Sequence, residues 1–516
     1  MKTETLVERH AEHIQGVLEC FDRVILSGTY RAIGWPAALG QYLHGAGIGL
    51  EDFIKNHANS WRLEVAKRVR SQAKAAGVEV RQVQGSERKE DVVAKIIAGR
   101  GDHPGVVCVL GAMERCRSFR VRAVGERHWL ELQWDTGRCE HFYVYFIDAE
   151  FGLCYLRIPT WAPFRLQFYC NGHQWLERQM VRAGLAYEKA DNCFPWVSDL
   201  AAAQSLVKNF DPRRLHRVLE EAAAHWVSIH QRFGASLHWT IHQAEWSTDV
   251  LFKSRRILPD LFLEIARTAV VEVGSEDIFR FMGKKPRSNS RALPDTRLQT
   301  LVQGTRLKHT LGANTLKMYD KVESVLRIEC TTLDVTTFTH HRKVEPRRSL
   351  GPLTQAGSSG PAAEKKWAPM RKTFYNLIAL GRAMSACNRR YLAYLSQWRD
   401  HTQERHALHA ITASHRDQKD RSVRGINFFR QDDLLFLQAL QRGEHQISGV
   451  TNRLLQNHLP DWGAPKIGRT LRRFRVLKIL KPVAGKRKYY PTPRGETLII
   501  AGLQITERLI LPALAA

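Results

Sequence analysis

No stretch of the 516-residue sequence approaches the run of about 18 apolar residues that a bilayer-spanning helix needs, so neither a membrane span nor a membrane partner is expected. The opening MKTETLVERHAEH is polar and acidic and lacks the apolar core of a secretory signal, which makes a cytoplasmic location the expectation. Cysteine is sparse and scattered: nine thiols in a long chain do not form a disulfide framework, and reduced thiols are expected. Cys139-x-His141 and Cys170-x-x-His173 have the residue types of a zinc site, but the first spacing is too short for the usual ligand loop, and buried thiols with a turn histidine are the simpler reading. Neither a Walker loop nor a dinucleotide-binding glycine pattern occurs, which removes nucleotide-driven motors from consideration.

Acidic residues are in deficit. Lys and Arg number 78 against 51 Asp and Glu, a net charge of +27. Such a charge repels itself unless a polyanion neutralises it, and nucleic acid is the commonest polyanionic partner. Hydrophobic and charged fractions of 44% and 25% are otherwise those of a globular protein, and the length implies more than one domain.

The pattern along the chain predicts a multidomain α+β protein. Residues 1–205 read as a mixed α/β domain, with a helix over 54–76 closed by Gly77, a strand over 106–110, a hairpin over 141–158 and a helix capped by Asn171. Residues 206–342 read as an α+β domain with a helix over 212–232, an alternating strand over 239–252 and a hairpin over 315–331. The Pro, Gly and Ser of 343–366 predict a flexible linker, and 367–422 a basic helical segment that includes Arg389 and Arg390. No internal repeat of fixed period is evident.

Residues 423–516 parse as a winged helix. A helix over 431–440 is ended by Gly443, and a second over 448–458 is capped by Ser448. A third, over 465–477, sets Ile467, Leu471, Phe474 and Leu477 against a basic arc of Lys466, Arg469, Arg472, Arg473 and Arg475. A short hairpin then carries Lys486, Arg487 and Lys488 around Gly485, and Thr492-Pro-Arg-Gly495 starts a last helix. This segment resembles MarR-type winged-helix domains, whose wing commonly runs into such a T-x-x-G helix start. The resemblance implies a DNA-binding helix and wing, contacted through these eight cations, and Arg389 and Arg390 on the preceding basic segment are further candidate nucleic-acid contacts.

In the middle region, period-two alternation puts Gln243, Glu245, Ser247 and Asp249 on one strand face, with Ala244, Trp246, Val250 and Phe252 opposite. Likewise Lys317 and Tyr319, then Arg327 and Glu329, share a face. Carboxylates to hold a divalent metal, cations to meet the charge on a phosphate and a tyrosine nucleophile are the parts of phosphoryl-transfer chemistry. Lys317-Met-Tyr-Asp-Lys321 and Leu326-Arg-Ile-Glu329, following the strand with Glu245 and Asp249, resemble the core of rolling-circle replication initiators of plasmids and filamentous phages. That resemblance implies metal-dependent nicking through a tyrosine that becomes joined to the 5′ phosphate. It would give Tyr319, Lys317, Lys321 and Arg327 catalytic roles and have Glu245, Asp249 and Glu329 hold Mg²⁺ or Mn²⁺. The family's His-hydrophobic-His metal motif has only loose substitutes in His238, His242, His340 and His341, and Tyr391 beside Arg389 and Arg390 is a second candidate nucleophile.

Three functions follow as expectations. The first is a replication-initiation or mobile-element protein that binds and nicks DNA. The second is a winged-helix regulator without chemistry. The third is an RNA-binding component of a ribonucleoprotein, using Tyr143, Tyr145 and Trp161 for base stacking.

Overall fold

Strand-forming sequence dominates the first 340 residues, and its alternating runs lie side by side in one eleven-stranded sheet. In chain order these are β1 (Ile14–Thr29), β2 (Val80–Gln82), β3 (Gly105–Val124), β4 (Trp129–Asp148), β5 (Gly152–Pro159) and β6 (Leu166–Asn171). A separate hairpin, β7 (Tyr187–Ala190) and β8 (Cys193–Val197), follows, and then β9 (His238–Phe252), β10 (Asp295–Leu301), β11 (Gly304–Leu311), β12 (Asn314–Lys321) and β13 (Val325–Thr332) complete the sheet. The computed structural model describes residues 5–125, 129–233, 237–285, 295–301, 304–344, 364–396, 402–440, 449–505 and 510–511. They fall into two units, residues 1–398 and 399–516.

The strand order is β10-β11-β12-β13-β9-β1-β6-β5-β4-β3-β2. Read outward from the central antiparallel pair β1 and β9, the two sides have the same plan. A central strand is followed by helices, then by an antiparallel meander that returns from the sheet's edge to lie beside it. Regions expected as separate domains, 1–205 and 206–342, are thus the two halves of one sheet. The repeat is topological, which is why no sequence period betrays it.

One face of the sheet is apolar. Phe142 and Val144 of β4, Leu156 and Ile158 of β5, Phe168 of β6, Leu26 of β1, and Met318 and Ile328 of β12 and β13 join a single core. The buried sides of helices Ala58–Ala75, Pro212–Trp226, Leu258–Glu272 and Leu377–Leu395 belong to the same core. The last of these falls in the stretch expected to be a basic helical segment. It lies on the sheet: Gly381 leaves room for the Trp246 ring, which a Cβ there would approach to 2.2 Å. Buried Asn388 donates from Nδ2 to the Trp246 carbonyl at 2.9 Å and to Thr248 Oγ1 at 3.2 Å. The opposite face carries the polar residues considered below, and helix Lys89–Arg100 covers its far end over Tyr143 and Tyr145.

Several sequence expectations change in detail. The strand at 106–110 is the start of the 20-residue β3, whose polar second half, from Glu114 onward, continues in register with β4. The helix expected over 212–232 ends at Trp226, and a 3₁₀ turn, Ser228–Phe233, follows. The linker's ends are not free coil: Thr339–Val344 pairs with Glu364–Pro369, so this stretch lies inside the first unit, and residues 345–363 are outside the described set. Asn171 caps the helix Gly172–Arg182 as expected, its Oδ1 accepting from the His173 and Gln174 amides.

In the second unit, helices Gln431–Leu440, Asn452–His458 and Ala464–Val476 precede a hairpin of Leu480–Pro482 with Tyr489–Pro491, and helix Pro493–Ile505 follows. Val450 bridges to Tyr489 as a third, one-residue strand, giving the order of a winged helix. Its own core gathers Phe436, Leu455, Trp462, Ile467, Leu471 and Phe474. Gly443 and Ser448 lie outside the described residues, and Thr451 is the observed cap of the second helix. Thr492 performs the expected capping, its hydroxyl accepting from the Gly495 amide at 2.9 Å.

Gly172 packs its α-carbon against β1, where a Cβ would come within 1.9 Å of the Phe21 carbonyl oxygen. Gly172→Ala is therefore expected to destabilise the first unit by at least the ~1–3 kcal/mol of an overpacked core. Gly40→Ala, in a helix with open space around the added methyl, is expected to be neutral or slightly stabilising. Thermal denaturation of the two variants checks both.

Candidate functional site

The polar face converges on a bulge in β1. Phe21 lies opposite Trp246 and Val24 opposite Ala244, so Asp22 and Arg23 together face the single residue Glu245. The extra residue turns Asp22 toward its neighbour on β9. On the other side of β9, Glu329 of β13 pairs with Ser247, and Lys317 of β12 pairs with Glu329. The result is a cluster in which carboxylate oxygens of Asp22, Glu245 and Glu329 all lie within 4.8 Å of one another. Three carboxylate oxygens at this spacing could hold a metal ion. Among the described residues it is the one group of three or more such side chains placed to hold a metal.

Charge around the cluster is uneven. Lys317 Nζ donates to Glu329 at 2.5 Å and reaches Glu245 at 3.4 Å. Its ammonium stays protonated well above the usual range: burial opposes this, but the Glu329 and Glu245 charges outweigh it. Glu245 is shifted upward by burial and by the Glu329 charge, with Lys317 acting against both. An added cation would relieve that carboxylate repulsion. Asp22 behaves in the opposite way: burial pushes it up, yet hydrogen bonding to His173 and the charges of His173 and Arg327 hold it below the ordinary carboxylate range.

Arg327 organises the rest. It is completely buried and donates through Nε and one terminal nitrogen to both oxygens of Asp249, each at 2.7 Å. It also reaches Asp22 at 3.3 Å, His173 Nε2 at 3.0 Å and the Asn192 carbonyl at 2.7 Å. The Asn192 contact pins the β7–β8 turn over the cluster, where Asp191 takes a positive φ of 55°. Lys321 adds to this, donating to Asp191 at 3.2 Å and to Asn192. A polar cavity of about 270 Å³ remains between the turn and the sheet, lined by Asp22, Arg23, Tyr169, Asn171, His173 and Glu245, among others.

The sequence-derived site residues therefore share a face, with changed roles. Glu245 and Glu329 are in the carboxylate cluster and Lys317 bridges them. Asp249 is not in it, because Arg327 occupies both its oxygens, and Asp22 stands in its place. Arg327 and Lys321 hold other protein groups. Tyr319 is half-buried, opposite Arg327 on β13 and Arg306 on β11, and Lys321 Nζ lies 5.7 Å from its ring. Burial and the Glu329 charge push its hydroxyl up to about 12. Tyr391 is fully buried, its hydroxyl 2.9 Å from His309 Nε2, so it is sealed from any substrate. Sequence reasoning missed Asp22 and Asn192, and it gave Asn171 only a capping role and His173 only a place in a zinc-type pattern. The only signals were an acid in an apolar strand and a histidine at a helix start.

The thiols of the zinc-type pattern, Cys139 and Cys170, are free and buried, in line with the simpler reading. His173 meets Asp22 and Arg327 instead of a thiol; Cys139 Sγ lies 3.8 Å from His141 Nδ1, but among the described residues no Cys/His group of three or more is placed to hold a metal. Tyr143 and Tyr145, expected to be exposed for stacking, are buried under Lys89–Arg100, and Trp161 is half-buried. Arg389 pairs with Glu19 at 2.6 Å, and Arg390 donates to the Phe281 carbonyl at 2.6 Å; both residues are exposed.

In the second unit the expected basic arc is divided. Arg473 is buried and paired, with Arg424, to buried Asp433, while Arg472 and Arg421 share Asp417. Lys466 pairs with Asp432 at 3.1 Å and lies 3.9 Å from the Trp462 ring. Arg469, Arg475, Lys486 and Arg487 are exposed, and Lys488 is half-buried. No family model, curated protein or solved structure matches the chain.

Two outcomes are expected. Arg327→Met takes the guanidinium away from two buried carboxylates, leaving Asp249 with His173 and Asp22 with His173, Asn171 and Asn192, and should cost about 3–5 kcal/mol at neutral pH. Asp249 in the parent is held below its ordinary value, against burial, chiefly by Arg327, so its stabilising contribution is present above pH 4 and is lost as pH falls. Without Arg327, burial raises that carboxyl instead, so the variant's deficit should shrink between pH 7 and pH 4. Urea titrations across this range measure it. In the second unit, Arg473→Glu should lower Tm, whereas Arg469→Glu with Arg475→Glu should leave Tm unchanged.

Proposed function

We propose that this chain is a DNA-binding protein of the replication-initiation or mobile-element type, which nicks one strand and becomes joined to it. The observation that carries the reading is the cluster Asp22, Glu245 and Glu329 on the same sheet face as Lys317 and Tyr319. Bound there, Mg²⁺ or Mn²⁺ would supply Lewis acidity toward a phosphate oxygen and lower the cost of removing the tyrosine proton.

In this reading Tyr319 Oη attacks a backbone phosphorus while its proton passes to solvent. The phosphorus–O3′ bond breaks, the 3′ oxygen takes up a proton, and the 5′ phosphate remains as a tyrosyl ester. Lys317 offsets the charge that develops on the phosphate. Arg327, Asp249 and His173 act as positioning residues by fixing Asp22. Duplex DNA would be held by the second unit through Arg469, Arg475, Lys486 and Arg487, a proposal that its basic surface supports.

The test is incubation with single-stranded DNA and Mn²⁺ or Mg²⁺, scored for cleavage and a denaturant-stable protein–DNA adduct. Tyr319→Phe is expected to abolish the adduct while DNA binding is retained, and Glu329→Gln to abolish cleavage and the rise in Tm on adding Mn²⁺. An adduct that persists in Tyr319→Phe but is lost in Tyr169→Phe would move the nucleophile to the tyrosine on β6 that lines the cavity. Cleavage without an adduct would make the protein a hydrolytic nuclease.

A further inference from the structure

The polar face does not end at the carboxylates. Along β6, Asn171 and Tyr169 line the carboxylate cavity, and Gln167, with Arg165 just before the strand, lines a second one of about 190 Å³. Its walls also include Arg115 and Arg117 of β3, Arg157 of β5 and His242 of β9, and no carboxylate is among them. The register Arg157–Gln167–Ser27 places this pocket on the same face of β5, β6 and β1 as the cluster.

These cations are incompletely compensated. Arg157 is balanced by Glu114 at 3.0 Å, and Arg117 lies 4.2 Å from the Trp134 ring. Arg165 has a buried Nε with no hydrogen-bond partner. Burial and the nearby Arg117 both disfavour its charge, and His242 is lowered by burial and by Arg165, Lys372 and Arg157. A buried donor without an acceptor, among like charges, is a cost that a bound anion removes.

Between the two cavities lies a path suited to a nucleotide strand. Tyr169 stacks on Tyr155 at 5.0 Å and 7°, both half-exposed, and exposed Arg23 lies 5.6 Å from the Tyr169 ring. From Asn171 to Gln167 is about 13 Å at the usual ~3.3 Å per strand residue. That is about four nucleotides of stacked strand. We propose that the pocket around Arg165 and Arg117 holds a backbone phosphate of the single strand that crosses the carboxylate cluster, and so sets which bond reaches it. The inference rests on the nicking reading for the cluster's role, and on the pocket's own geometry for phosphate binding.

The experiment compares the full chain with an Arg117→Gln/Arg165→Gln variant by fluorescence anisotropy, using single strands of 3 and 12 nucleotides, alongside calorimetric titration with inorganic phosphate. Expected are at least a fivefold loss of affinity for the 12-mer, a salt slope shallower by about 1, and no change for the 3-mer. Tm should change little, because the unpartnered buried Nε of Arg165 is removed while Arg117 is exposed, and Arg165→Lys should keep most of the affinity. Unchanged 12-mer affinity and slope would overturn the proposal. So would equal losses for both lengths, or phosphate binding that the variant loses without any effect on the 12-mer. A length-dependent loss in a protein that forms no adduct would keep the pocket and refute the nicking reading; an adduct formed equally well by the variant on long strands would do the reverse.

Discussion

A guanidinium with no access to water holds the first unit's polar face together. Arg327 is buried at the join of β13, β9 and the bulge of β1, and its charge is tolerable only because Asp249 and Asp22 are ionised beside it. That requirement fixes much else. Asp249 is taken out of any ligand role, Asp22 is aimed by Arg327, Asn171 and Asn192, and the β7–β8 turn is drawn onto the sheet by its carbonyl. The face can then present carboxylates at fixed spacing without relying on loop order.

The cluster and the cationic pocket divide one surface by sign. Negative charge gathers where the two half-sheets meet, and positive charge gathers toward β3 and β5. The overall excess of base is therefore not a uniform coat. Part of it is consumed internally, as in Arg389 with Glu19 and Arg473 with Asp433. What remains on the polar face and on the second unit is the part open to a polyanion.

Much of this was legible in the sequence where periodicity was clean. Strand β9, the β12–β13 hairpin and the faces of Glu245, of Lys317 with Tyr319 and of Arg327 with Glu329 within their own strands follow from alternation, and the last helices and wing of the second unit from their apolar spacing and turn residues; that these faces are one surface depends on the strands sharing a sheet. Asp22 did not, because a bulge breaks the alternation that would have placed it. Asp249 was read as a ligand because a strand pattern gives a residue's face but not its partner. The depth of Leu377–Leu395 was hidden by Arg389 and Arg390, whose charges project from an otherwise buried helix, and the single sheet was hidden by the distance in sequence between its two central strands.

That distance has a consequence for how the protein is made. Ile14 pairs with Phe252, and Glu329 comes from still later in the chain. While a ribosome is still building the second half, β1 has one long edge unpaired, a state in which strands readily join the wrong neighbour. The carboxylate cluster cannot assemble until the chain has grown past Glu329. The emerging polypeptide thus has no complete carboxylate cluster until the strand that carries Glu329 has been synthesised.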